Sequence, residues 1–398
     1  MAPAGGSGAA APCEADSSHA CKHGLMVDAA VQTLTDDVCR VGREAGLVAV
    51  GVAAADPFTS TRRDLEDRKR AGLHGGMHFT YGDPVRSTEP GRVVPGARAL
   101  VVGAHDYRRQ APGPRGPERA VGLVARYSWR DHYAPLRAAL GVVATLLVEH
   151  GWRAEVLADD NRLVDREAAY RAGLGWYGKN TNLLLPGLGS WFVLGSVVTD
   201  APLSETGTPV ADGCGTCTRC ISACPTGALV GPGVLDARRC LAWLLQAPGF
   251  FPNEYRVALG GRVYGCDDCQ DVCPPNLASE RRRPAPPAAP DDEPSVSLVE
   301  MLTLDDDSLM ARFGRWYIPR RQPRYLRRNA LVALGNVGDG ADPDVEQVLR
   351  AALADGDPIV RGHAVWAAGR LGRADLAAGL LDTEDDPDVR AELAAVAR

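Results

Sequence analysis

The sequence predicts an α+β protein in three folded parts, and three features of the chain predict it. Strand-like apolar runs alternate with helical spacing from Met26 to about Asp200. Eight cysteines then crowd into Asp212–Asn276, and the C-terminal part repeats a helical pattern. The expected divisions are a flexible tail over 1–25, an α/β domain over 26–203 and a cysteine-rich domain over 204–280. A Pro-rich connector over 281–310 and helical repeats over 311–398 complete the chain. Its 398 residues leave room for several cores of useful size.

Apolar residues make up 45% and charged residues 24%, which excludes a wholly disordered chain. The formal net charge is −6, so any nucleic-acid contact must come from a local basic patch. No apolar run approaches the ~20 residues a membrane span needs. The first 24 residues are rich in Ala, Gly and Ser and lack both a basic start before a greasy stretch and a twin-arginine pair. They read as a tail rather than an export signal, with Cys13 and Cys21 as unligated thiols and the protein in the cytoplasm.

In chain order, Val31–Ala45 has helical spacing and Leu47–Ala53 reads as a strand. Ala99–His105 is a second apolar strand, Ala134–His150 a helix, and Trp152–Ala158 and Trp191–Thr199 two more strands. The alternation implies a central sheet with helices against it, in an order the sequence leaves open. Arg281–Pro294 is too rich in proline for a helix or a central strand. Beyond it, Arg327–Gly338 resembles Val360–Gly372, with Asn329 and His363 in register 34 residues apart. A further Asp-Pro-x-Val-Arg start at Asp386 echoes the one at Asp357. Such helix starts followed by Ala- and Leu-rich helices resemble HEAT repeats, which either pack on the preceding domain or bind a partner.

The cysteines carry the chemistry. Cys214-x2-Cys217-x2-Cys220-x3-Cys224-Pro has the spacing with which bacterial ferredoxins give three thiolates to one [4Fe–4S] cluster and a fourth to its neighbour. The second run, Cys266-x2-Cys269-x3-Cys273-Pro, is one cysteine short, and Cys240 makes up the number. The expected sets are Cys214, Cys217, Cys220 and Cys273 for one cluster, and Cys224, Cys240, Cys266 and Cys269 for the other. Zinc also suits Cys-x2-Cys pairs, but explains poorly the x3-Cys-Pro ending that occurs twice. Clusters move electrons, so the protein is either a carrier or an enzyme that feeds a second cofactor. The length of folded sequence on both sides of the cysteines favours an enzyme.

Beyond the cysteine spacing, AGLGWYGKN (Ala172–Asn180), CGTCTRCISACPTGAL (Cys214–Leu229), DARRC (Asp236–Cys240) and GRVYGCDDCQDVCPPN (Gly261–Asn276) form a combination. With RRNALVALGN (Arg327–Asn336) and the repeats, they make the chain resemble the epoxyqueuosine reductases over nearly everything after residue 27. The resemblance implies a reductive-dehalogenase-like N-terminal domain that binds cobalamin against the cluster domain. It implies that Asp159 is the proton donor, with Arg86, Leu183 and Leu194 near the corrin. Asp160 is adjacent, but strand alternation sends the two side chains to opposite faces. A helix-capping role is the structural alternative for Asp159. The stretch Arg126–Tyr133 departs from the family by one residue.

The implied reaction removes the oxygen of a cyclopentane epoxide from a modified base at the tRNA wobble position. The clusters would relay single electrons to cobalamin, and Asp159 would protonate the departing oxygen. The implied partners are a tRNA anticodon stem-loop and an unidentified low-potential electron donor, with no membrane and a monomeric protein. Arg312, Arg315, Arg320, Arg321, Arg324, Arg327 and Arg328 lie with Trp316, Tyr317 and Tyr325 in a stretch lacking acidic residues, and suit phosphates and unpaired bases. A solvated helix face is the alternative. Competing functions are a reductive dehalogenase, an electron-transfer protein without a substrate of its own, and a relative that reduces another small molecule.

Overall fold

The computed structural model describes residues 17–110 and 120–397. Four apolar segments form an antiparallel sheet in the order Ala49–Ala54, Ala99–Asp106, Phe192–Thr199, Ala154–Ala158. Val52 pairs with Val101, and Val101 in turn with Val197. Because side chains alternate across a strand, Leu100 and Val102 face one side and Val101 the other. Val101 joins Val38, Leu140, Val143 and Leu147, which belong to the helices Ser17–Glu44 and Tyr133–Glu149. Leu100 and Val102 join Phe58, Leu163, Ala168 and Ala169, the last two from the helix Asp165–Arg171. Both faces are therefore covered, which is why these strands read as unbroken apolar runs. Each fully buried Leu or Val contributes roughly 1.5–3 kcal/mol.

All four strands expected from the sequence form within two residues of their predicted limits. The first helix is longer than expected, beginning at Ser17 within the anticipated tail. Cys13 lies outside the described residues, as does the side chain of Cys21. Among the described residues, no helix is long and apolar enough to cross a membrane.

A second, three-stranded sheet was not anticipated. Val121–Val124 pairs in parallel with Arg262–Tyr264 and antiparallel with Ser295–Ser297. It draws one strand from each of the three parts expected to be separate. The connector assignment over 281–310 is corrected accordingly. Arg281 and Arg282 end the helix Pro274–Arg282, and Ser295–Ser297 is a strand. The helices Leu298–Thr303 and Asp306–Phe313 follow, leaving 283–294 and 304–305 without regular structure.

The C-terminal helices are Arg324–Val337, Pro343–Leu353, Pro358–Arg370 and Pro387–Val396. Asp342, Asp357 and Asp386 each accept a backbone amide hydrogen at the start of a helix, with proline in the first turn. This explains the recurring Asp-Pro, including the copy at Asp342 that the repeat comparison passed over. The repeats share one apolar core with Leu241–Tyr264 of the cysteine-rich part, through Leu245, Phe251, Leu259 and Val263. Asn329 and His363, the residues in register, both reach into that segment. Asn329 Nδ2 donates to the Leu245 and Val263 carbonyls (2.9 and 3.2 Å), and the Phe251 amide donates to His363 Nε2 (3.1 Å). The repeats therefore pack on the cysteine-rich part.

Candidate active site

AGLGWYGKN is the seam between the α/β domain and the cysteine loops. Gly173 adopts φ +72°, and a side chain at Gly175 would collide with the Leu184 carbonyl of the paired strand. Trp176 can thereby pack with Leu184 and Cys273. Lys179 Nζ donates to the Gly215 carbonyl (2.6 Å) and Asn180 Nδ2 to the Cys269 carbonyl (3.4 Å). Ser190 closes the seam from the sheet side, donating to Gln270 Oε1 at 2.9 Å.

All eight expected cysteines are free thiols. Cys214, Cys217, Cys220 and Cys273 line one small pocket beside Lys179 and Asn180. Cys224, Cys240, Cys266 and Cys269 line the wall of a second, open cavity of about 460 Å³. The two groups of four coincide with the sets expected from spacing. Burial pushes the Cys266 thiol up to about 12 and Cys273 to about 11, and raises Cys240 and Cys269 as well. Burial acts upward on Cys224 too, but hydrogen bonds to its sulfur outweigh it, including one from the Ala228 amide at 3.2 Å. Buried thiols of this kind become thiolates when a cationic iron centre balances them, and amide-to-sulfur bonds support that state. The donor sets fit iron–sulfur clusters.

The cavity lies at the end of the main sheet. Ala158 pairs with Gly195, so Asp159 leaves the sheet beside Leu194, and both line the cavity with Leu183. Asp159 has φ +56°, a left-handed conformation uncommon for a residue other than glycine. Burial raises its carboxyl above the ordinary value, with Asp131 and Asp160 adding to the rise and Arg137 opposing it. Asp160 behaves in the opposite way. Burial acts upward, but Arg162 clamps both carboxylate oxygens (3.0 and 2.7 Å) and holds it below its usual range. The adjacent pair thus resolves into a cavity-facing acid and an ion-paired anion.

Leu183, Leu194 and Asp159 come together in the cavity; Arg86 is not among its lining residues. It borders a separate shallow pocket with Asp83, Arg92 and Arg162. Lining residues missed at the sequence level include Tyr107, Tyr127, Tyr133, Asp165 and Asp267. Asp267, inside the Cys266–Cys269 spacing, could have been singled out; burial carries it up to about 7, while the Arg126 amide donates to it at 2.7 Å. Tyr127 and Tyr133 fall in the Arg126–Tyr133 stretch that departs from the family, whereas Tyr107 follows the strand Ala99–Asp106 and carried no signal. Burial pushes Tyr127 up to about 12 and raises Tyr107 and Tyr133 further, so all three hydroxyls are neutral donors.

The arginine-rich stretch is corrected. Its acidic partners come from outside it: Arg312 pairs with Glu293 and Glu300, Arg315 with Glu293, Arg324 with Asp357 and Arg327 with Asp306. Arg328, Trp316 and Tyr325 are buried. Tyr317, at 59% exposure, and Arg320 and Arg321 remain outward, the two arginines both with positive φ. The Tyr317 amide donates to Tyr264 Oη at 2.7 Å, and the Tyr264 ring lies against cavity-lining Tyr127 (ring centroids 6.2 Å apart).

Residues 213–276 match the model of a 4Fe–4S double cluster binding domain, and residues 318–398 that of HEAT repeats. Fold and site together define an iron–sulfur protein whose cysteine module closes a cavity on an α/β domain and is braced by HEAT repeats. Relatives named epoxyqueuosine reductase include one from Bacillus cereus, 35% identical over 353 residues, with 86% of this chain and 90% of the relative covered. Another, from Bacillus subtilis, is 33% identical over 374 residues, covering 91% and 95%. A solved epoxyqueuosine reductase with an epoxyqueuosine-modified tRNA-Tyr stem loop matches at TM-score 0.82 and 30% identity, over 92% of this chain and 98% of that one. The chain belongs to the epoxyqueuosine reductase family.

Proposed function

We infer that this protein reduces the cyclopentane epoxide of epoxyqueuosine in tRNA to the alkene of queuosine, using two [4Fe–4S] clusters and cobalamin. What carries this reading is one cavity whose wall combines a left-handed aspartate (Asp159) with a quartet of cysteines, in a chain of this family.

Cys214, Cys217, Cys220 and Cys273 would hold the outer cluster, and Cys224, Cys240, Cys266 and Cys269 the one at the cavity wall. The cavity suits a corrin in character, its lining including the apolar side chains of Leu183, Phe192, Val193 and Leu194 together with three tyrosines. When bound, the clusters supply single electrons and the corrin a low-potential cobalt centre for the reduction. The protein's own part is to orient the base and to deliver protons. Desolvation raises the Asp159 carboxyl, which favours the protonated form that would give its proton to the departing epoxide oxygen. Arg86, outside the cavity lining, is the weakest of the expected corrin contacts. We further propose that the enzyme works in the cytoplasm as a monomer fed by a separate low-potential donor. The free state of all nine described cysteines fits a reducing compartment.

The test is anaerobic reconstitution with iron, sulfide and cobalamin, followed by a strong reductant and epoxyqueuosine-containing tRNA, with nucleosides read by mass spectrometry. Loss of one oxygen from the modified base is expected. An unchanged nucleoside, with intact cluster and corrin spectra, would overturn the reading.

A further inference from the structure

Removing an epoxide oxygen as water breaks two C–O bonds, forms one C=C π bond, and consumes two electrons and two protons. The low-potential donor supplies the electrons. Asp159 accounts for one proton, and the second needs its own source, either solvent entering the open cavity or a group in the cavity wall. That need rests on the function inferred above; the residue that meets it is identified by the structure.

Asp165 lines the same cavity, six residues after Asp159 and at the first position of the helix Asp165–Arg171. Its Oδ1 is sealed from solvent and has no hydrogen-bond partner among the described residues. A carboxylate placed only to complement a helix start would be ionised and would satisfy free amides of the first turn. The amides of Glu167 and Ala168 instead donate to the Val164 carbonyl, at 3.0 and 3.1 Å. The nearby cation is also engaged elsewhere, since Arg166 Nη1 donates to the Thr181 carbonyl at 2.7 Å. The charged and titratable groups facing Asp165 are Asp159 and Asp160 from the loop after the strand, Arg166 from its own helix, and Tyr133 from the helix Tyr133–Glu149. Two acids on the loop and one cation leave a neutral carboxyl as the favoured state. Burial, followed by the Asp159 charge, raises Asp165 well above the usual carboxylate range.

We propose that Asp165 holds the second proton of the reaction and passes it to Asp159 once Asp159 has protonated the substrate oxygen. After that first transfer Asp159 is an anion on the cavity wall it shares with a neutral acid. Moving a proton from Asp165 to Asp159 restores the donor, and Asp165 recovers its proton between turnovers. Asp165 thus acts through Asp159 and never touches the substrate.

The test uses the full chain and two readouts. In the first, an infrared pH titration without tRNA follows the protonated-carboxyl band in the wild type, Asp165→Asn and Asp159→Asn. A buried protonated band that persists above the ordinary carboxylate range and vanishes in Asp165→Asn is expected; a band unchanged in that variant would overturn the proposal. The second readout is the pH profile of the reconstituted enzyme. Asp165→Asn should leave the tRNA KM within about twofold, lower kcat by roughly 10²-fold, the low end for a positioned proton donor, and change the pH dependence. Asp165→Glu, which keeps a carboxyl, should restore the wild-type profile, guarding against a simple folding defect. A wild-type kcat profile in Asp165→Asn would mean that solvent supplies the second proton. If the wild type leaves the nucleoside unchanged, the function reading falls and the delivery role with it, while the infrared arm still judges the proton site.

Discussion

Asp159 combines two costs that a purely structural residue would shed. Its left-handed backbone costs on the order of 1–3 kcal/mol, and its carboxyl, at an exposed position, is desolvated by the cavity wall with no ion pair clamping it as Arg162 clamps Asp160. Replacing it with asparagine should leave tRNA binding intact and lower single-turnover reduction by roughly 10²–10⁴-fold. The pH dependence follows from the raised carboxyl. In the folded state the proton is lost at higher pH than in the unfolded chain, so donor activity falls as pH rises through the raised value. Stability falls over the window that starts at the ordinary carboxylate value of 3.8 and ends at the raised one, because the folded state resists ionisation there. The Asp159→Asn protein should lack that decline and melt higher than wild type at neutral pH, as thermal melts across pH would show. An unchanged melting profile would count against a raised carboxyl at this position.

At the scale of elements, the helix Arg324–Val337 is fastened to the segment after Cys240 by a buried guanidinium. Arg328 donates to the carbonyls of Leu244, Leu245, Ala247 and Gly249 and to Asn329 Oδ1. Burial brings its pKa down to about 9, yet these acceptors keep it useful as a cation at neutral pH. Arg328→Leu strands several buried carbonyls, each costing roughly 1–3 kcal/mol, so a loss of about 3 kcal/mol or more is expected in urea unfolding. Little change would mean that the segment relaxes and finds other donors.

Across the whole molecule, the charge available to tRNA is smaller than a count of arginines suggests. Arg320 has no ion pair among the described residues, whereas Arg324 is held by Asp357 at 2.9 Å. Arg320→Ala should weaken tRNA binding and flatten its salt dependence by about one unit of slope, while Arg324→Ala chiefly lowers the melting temperature. Titrations at several salt concentrations distinguish the two. Iron removal gives a second global expectation. The loops around Cys214–Cys224 and Cys266–Cys273 lean on a small apolar cluster, whereas Leu241–Tyr264 shares the large core of the repeats. Chelation should therefore raise hydrogen exchange in the two loops and spare the repeats. Uniform loss of protection would show the metal to be holding the entire fold.

Local chemistry was legible in the sequence wherever spacing along the chain is itself the constraint. The Cys-x2-Cys runs, the apolar strands and the Asp-Pro helix starts are of this kind, because a loop around a cluster, a two-residue pleat and a helix cap each span only a few residues. Asp159 is singled out by the family resemblance and not by spacing; only its place at a strand end is local. Tertiary structure decided whatever depends on which distant segments meet. It put Arg86 outside the cavity, paired Arg312, Arg315, Arg324 and Arg327 with acids from other segments, and buried Arg328. It also joined Val121–Val124, Arg262–Tyr264 and Ser295–Ser297 in one sheet, and brought Tyr107, Tyr127 and Asp165 to one cavity. Charge neutralisation and burial arise from neighbours in space, and a periodicity or a local spacing carries no record of them.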